Sequence, residues 1–147
     1  MRLQTYPCPC CGYEVFAKAL GSYDICPICC WEDDIVQLAF PDMRGGPNEC
    51  SLIEGQRNFA SFGACEQRLK EHVRAPESDD VRNSEWRPID VERDRYLRSG
   101  DESDCELWKS AMNLKSLCLY YWSPLYWLGD GSWMLPDAIK RLIERTH

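Results

Sequence analysis

Apolar and polar positions change their spacing repeatedly along this chain, and each change predicts an element. The run from Tyr13 to Ile25 is rich in β-forming residues, with Gly21-Ser22 as a turn, and predicts a two-stranded hairpin. Trp31-Glu32-Asp33-Asp34 and the stretch through Pro41, Gly45-Gly46 and Pro47-Asn48 lack a helical or strand period and read as loop. Ser51 with Glu54 three residues on forms a capping box. Leu52, Gln56, Phe59 and Phe62 follow at helical spacing, and Gly63 is a natural stop. A second short helix is predicted over Cys65 to Val73.

Between residues 74 and 104 the pattern collapses. Sixteen of these thirty-one positions are charged, with mixed signs and breakers at Pro76 and Pro88. So little apolar surface cannot offset the entropy of ordering the segment alone, so it reads as a linker or a surface strap pinned by Trp86, Ile89, Val91, Tyr96 and Leu97. Apolar character then returns. Ser103 and Glu106 form another capping box, predicting a helix to about Trp122 with apolar faces at Leu107, Ala111, Leu114, Cys118 and Tyr121 and at Trp108, Met112, Leu119 and Trp122. Ser123-Pro124 ends it, and Pro136 opens a last amphipathic helix. The expected division is a cysteine-rich unit at 1–73, a charged strap at 74–104 and a helical region at 105–147.

The cysteines supply the chemistry. Cys8 and Cys11, then Cys26 and Cys29, form two Cys-x-x-Cys pairs, each with proline at its second position (Pro9 and Pro27). Such a turn aims two thiolates at one point while backbone N–H groups donate to the sulfurs, and glycine after the second cysteine, here Gly12, relieves a crowded backbone position. Two turns supply the four ligands of a closed tetrahedral site, so one structural Zn2+ is expected on Cys8, Cys11, Cys26 and Cys29. Iron is the alternative ion, because tetrahedral sulfur geometry alone does not distinguish it. Disulfides are disfavoured: no secretory signal precedes Tyr6, and the cysteines then fit a reducing, cytoplasmic setting. No membrane span is expected, since the densest apolar stretch carries Lys109, Asn113, Lys115 and Pro124. The expected fold is α+β: a small zinc-ribbon-like β-hairpin module followed by helices, with an aromatic-rich C-terminal helical region.

Charge narrows the partner. The chain carries a formal −7, and four metal-bound thiolates with their ion would take it to about −9. Residues 1–64 hold only Arg2, Lys18, Arg44 and Arg57 against eight carboxylates, which demotes nucleic acid as a target. A local strip of Arg93, Arg95 and Arg98 keeps a nucleic-acid-associated ribbon as the alternative. Another protein, basic in character, is the expected partner. Glu32, Asp33 and Asp34 are candidate contacts as an anionic docking surface, and Trp122, Tyr126 and Trp127 as an aromatic patch, although aromatics more often pack a core. An enzyme is not expected: only His72 and His147 could supply imidazole, and no nucleophile–base pair stands at a known spacing. Cys10 and Cys30 are spare thiols that could exchange as ligands or sense oxidants. Cys50, Cys65, Cys105 and Cys118 read as apolar filler.

The stretches Tyr6-Pro7-Cys8-Pro9-Cys10-Cys11-Gly12-Tyr13, Gly21 to Asp34, and Gly45-Gly46-Pro47-Asn48 before Ser51-Leu52 resemble the bacterial cysteine-rich CPCC family, as do Asn58-Phe59 and Phe62-Gly63-Ala64-Cys65. The resemblance covers about the first half and implies a small zinc-ribbon-like module, without implying an activity. Two positions depart from it. Cys30 stands where the family has a bulky apolar residue, and Gly55-Gln56 replaces an Ala-Arg-like pair, at ~1 kcal/mol for glycine within a helix. A toxin-neutralising, immunity-type role is the concrete form of the protein-binding expectation.

Overall fold

The two cysteine turns are built alike. Cys8 N–H donates to Tyr13 O and Gly12 N–H to Cys8 O; Cys26 N–H donates to Trp31 O and Cys30 N–H to Cys26 O. Each turn thus closes a six-residue loop with the same pair of backbone bonds. Gly12 and Cys30 occupy equivalent left-handed positions, at φ 85° and 71°. Both are seen in a computed structural model that describes residues 4–94, 96–111 and 120–122 of the chain.

This places the hairpin differently from the sequence expectation. Strand β1 (Tyr6–Pro7) pairs antiparallel with β2 (Glu14–Phe16), so the first cysteine turn is itself the hairpin tip. The second turn is flanked by an isolated antiparallel bridge between Ile25 and Glu32. Residues 17–24 connect the two rather than forming a hairpin between them. A zinc-ribbon-like module of two cysteine-tipped β units, followed by helices, is the architecture present.

After the second turn a short helix α1 (Ile35–Ala39) appears where a loop was expected. Asp34 caps it, accepting from Gln37 N–H at 2.9 Å. The loop that follows is held by two buried amides. Gln37 Nε2 donates to Met43, Asn48 and Cys50 carbonyls, while Asn48 brackets the Glu32 backbone through both side-chain atoms. Gly46 lies against Gln37 so closely that a Cβ would meet Gln37 Cδ at 2.9 Å. The Gly-Gly-Pro-Asn stretch is therefore a structural clasp.

Helix α2 (Leu52–Phe62) has the expected form: Ser51 and Glu54 make both halves of the capping box, and Gly63 ends it in the left-handed conformation. The expected helix at 65–73 is a 3₁₀ helix, Gln67–His72, with no buried side chain. Helix α3 (Glu102–Ala111) begins earlier than the Ser103 cap anticipated, because Asp101 accepts from Asp104 N–H. It does not continue to Trp122, since Tyr121 and Trp122 lie in a turn. Leu114, Cys118, Tyr126, Trp127 and the helix expected after Pro136 lie outside the described residues.

Charged as it is, the segment after residue 74 lies along the cysteine unit. Glu14 N–H donates to Val81 O, Asn83 N–H to Gly12 O and Ile89 N–H to Gln56 Oε1. Leu97 is 1% exposed, and the Trp86 ring sits directly on Gly12, where a Cβ would come within 2.5 Å of it. Backbone bonds and a few apolar anchors do what composition alone could not.

The matched turns generate a pair of opposed outcomes. Gly12→Ala meets both an unfavourable left-handed φ and the Trp86 ring, and should cost at least ~2 kcal/mol. Cys30→Gly relieves the same backbone strain without a collision, and should leave stability unchanged or raise it by up to ~1 kcal/mol. Denaturant midpoints at fixed free Zn2+ measure both; equal losses in the two variants would show that the turns are not equivalent.

Candidate metal centre

Cys8, Cys11, Cys26 and Cys29 are each 0% exposed, and their four Sγ atoms all lie within 4.8 Å of one another. Cys8 Sγ is 3.6 Å from Cys29 Sγ, and Cys11 Sγ is 3.7 Å from Cys26 Sγ. Disulfide sulfurs stand about 2.05 Å apart, whereas thiolates arranged tetrahedrally around zinc at ~2.3 Å stand about 3.8 Å apart. The thiols therefore have the spacing of a metal cage. The Ile28 backbone N–H points at Cys26 Sγ at 3.4 Å, the outer-shell donor expected of such a turn.

The protonation pattern suits a cation. Burial pushes the Cys8 and Cys29 thiols well above the ordinary range. Hydrogen bonds from Cys11, Cys29 and Cys8 hold Cys26 far below it. A divalent cation entering the cage has to displace the protons that burial favours on Cys8 and Cys29.

Around the first turn, carbonyl oxygens are satisfied by side chains from far along the chain. Gln56 Nε2 and Trp86 Nε1 both donate to Pro9 O, at 2.9 and 2.8 Å, and Arg82 Nε donates to Cys11 O at 2.9 Å. The Arg82 guanidinium stacks between the Tyr13 and Trp86 rings, 5.2 and 4.4 Å from their centroids. Gln56 Nε2 also reaches Tyr121 Oη at 2.7 Å, and Tyr121 donates to Arg87 O. Gln56 is therefore a buried junction of the first turn, the strap and Tyr121.

The candidate docking residues fall in different places. Asp33 and Asp34 are 1% and 4% exposed, a correction to the solvated acidic face expected of them. Asp33 accepts from the Ser22 N–H and hydroxyl, and Asp34 caps α1. Ser22, through its backbone and hydroxyl, and the Gln37 backbone take these carboxylates. Glu32 is half-buried beside them. Trp122 is half-buried, stacked on Tyr120 at 4.6 Å and edge-on to Tyr121 at 5.0 Å. Tyr126 and Trp127 lie outside the described residues. In the arginine strip, Arg93 faces Asp90 at 3.8 Å and Arg98 lies over the Tyr96 ring, while Arg95 is outside the described residues.

Sequence reasoning missed a second convergence. Cys50 and Cys65, read as filler, lie with the buried Glu66 so that their ligand atoms fall within 4.8 Å of one another. Cys10 is 0% exposed and approaches Gly55 from the same side. Cys30 is partly exposed, and burial raises its thiol, which opposes a reactive thiolate.

Among the described residues no helix is long and apolar enough to cross a membrane. A comparison with curated proteins finds no match. The family description "cysteine-rich CPCC" matches residues 6–80, which hold the two cysteine turns, the amide clasp, α2 and the start of the strap. This chain belongs to the cysteine-rich CPCC family.

Proposed function

We propose that the four-cysteine centre holds one structural Zn2+ and that the unit it stabilises is a non-enzymatic protein-binding module. The observation that carries this is the closure of the site: all four donors are fully buried, leaving no open coordination position for a substrate or water. Zinc suits the set better than iron on grounds of chemistry, since four thiolates from short turns need no redox tuning to hold a fold together.

The binding face follows from what the second turn exposes. Tyr23 and Ile25 are 60% and 58% exposed, and Ile25 is bridged to the half-buried Glu32. Tyr23 also sits at φ 64°, a strained setting for a large side chain. Tyrosine flanked by aliphatic and acidic groups is a hot-spot composition, and the net charge of −7 favours a basic protein partner. Neutralisation of a basic toxin, an immunity-type role in a reducing cytoplasm, is the concrete form of this reading.

Metal removal gives the first test. Stripping with a strong thiol-compatible chelator should unfold the cysteine unit, as structural zinc contributes on the order of 10–16 kcal/mol of apparent binding energy. Serine at Cys8, Cys11, Cys26 or Cys29 should do the same. Circular dichroism unaltered by chelation would overturn the structural role. Acid should weaken the site: Cys8 and Cys29 hold protons that the ion must displace. Apparent affinity should therefore fall with falling pH, by about tenfold per displaced proton per pH unit. Competition with a chromophoric chelator between roughly pH 6 and 8 reads this slope, and a flat profile would contradict it.

The face has its own test. Tyr23→Ala with Ile25→Ala should leave thermal unfolding within ~1 °C, since both side chains are exposed. The pair should abolish capture of the partner that wild-type protein retains from lysate at low salt. Glu32→Lys should slow association and reduce its salt dependence. Undiminished capture by both variants would place the binding surface elsewhere.

A further inference from the structure

The buried thiols outside the four-cysteine cage make a second group. Cys50 precedes α2, Cys65 and Glu66 follow it, and their ligand atoms converge to within 4.8 Å. They are 6%, 0% and 8% exposed. Gly55 forms the floor of this convergence: a Cβ there would meet Cys10 Sγ at 3.2 Å, Cys50 Sγ at 3.5 Å and Cys65 Cβ at 3.5 Å. Glycine in a helix interior is unfavourable by ~1 kcal/mol, and here the missing side chain is what lets three cysteines meet.

We propose that Cys50, Cys65 and Glu66 form a second Zn2+ site beside the first. Two thiolates and a carboxylate are an accepted zinc donor set. A cation centred among atoms 4.8 Å apart lies about 2.8 Å from each, so small side-chain rotations bring the ligands to the 2.0–2.3 Å that zinc requires. Glu66 is already oriented as a ligating carboxylate should be: Oε1 accepts from Cys50 N–H at 3.0 Å and Oε2 from Arg68 at 2.9 Å. Two thiolates and one carboxylate carry −3 against the +2 of the ion, and the Arg68 guanidinium, shared with Glu49, lies beside the carboxylate. The sites share a wall, because Cys65 N–H donates to Cys29 O at 2.8 Å. Cys30 and Cys105 belong to neither.

Metal stoichiometry decides this without any variant. The full-length reduced chain, stripped and reloaded with Zn2+, then gel-filtered and measured by mass spectrometry, should retain two equivalents. Cys30→Ser and Cys105→Ser should also retain two. Cys65→Ser should keep one, with the second weakened by more than the 10–100-fold typical of an outer-shell partner. Glu66→Gln keeps the shape and the acceptor for Cys50 N–H, so it should fold and show the same selective loss even where Cys65→Ser does not. Loading with Co2+ should add thiolate-to-metal absorption with the second equivalent. A wild-type chain that saturates at one equivalent would overturn the proposal. So would a second equivalent that survives Glu66→Gln and Cys65→Ser unchanged, or one that disappears in Cys30→Ser.

Discussion

Four sulfur atoms held within 4.8 Å of one another, with no access to water, are the constraint on which the rest of this structure depends. As thiolates they repel and are poorly solvated, and as thiols they forfeit strong hydrogen bonds. Neither state is a stable core by itself. A divalent cation, as proposed above, would resolve the conflict and turn an unfavourable cluster into a cross-link. The small strands β1 and β2 could not persist alone. They are the arms of a turn whose tip carries two of the four clustered cysteines.

Much of the surrounding structure serves the backbone of the first turn rather than its sulfurs. Such a tight turn leaves carbonyls facing outward, and Gln56, Trp86 and Arg82 satisfy those of Pro9 and Cys11. Trp86 can do so only because Gly12 has no side chain beneath it. A charged segment with few apolar residues thereby gains a defined path, through hydrogen bonds to a rigid template. Tyr121, held by Gln56, attaches itself and the neighbouring Tyr120 and Trp122 rings to the same template.

The sequence displayed local signals faithfully and distant ones hardly at all. The cysteine spacing, the Ser51–Glu54 box and the Gly63 stop each depend on residues within a few positions, and each appears as read. The hairpin was misplaced because β propensity in residues 13–25 does not reveal that the Cys8–Tyr13 turn is the tip. Helix α1 was missed because Asp34 looked like one carboxylate in an acidic run, when it is a cap. Burial of Asp33, the role of Gln56 and the meeting of Cys50 with Cys65 all depend on partners that only the fold brings together. Gly55 was the one visible hint: a helix-weakening residue between cysteines calls for a reason in packing.

If the four-cysteine centre holds a structural ion, as proposed above, its four buried donors fill the coordination shell and the binding role proposed for this fold rests on its surface. Buried Asp33 connects the two. Its carboxylate holds Ser22 and its carbonyl accepts from Tyr23 N–H at 3.0 Å, while its own N–H donates to Asp24 O. These bonds over-determine a loop in which Tyr23 takes a left-handed φ and stands 60% exposed. A large side chain gains nothing for folding from strain and exposure together. The arrangement is intelligible if a rigid, pre-oriented aromatic is what a partner meets, because a side chain already fixed loses little entropy on binding. In the proposed binding role the buried Asp33 and Asp34 would act from inside, by shaping the loop, and of the three carboxylates only Glu32 is exposed enough to act from outside.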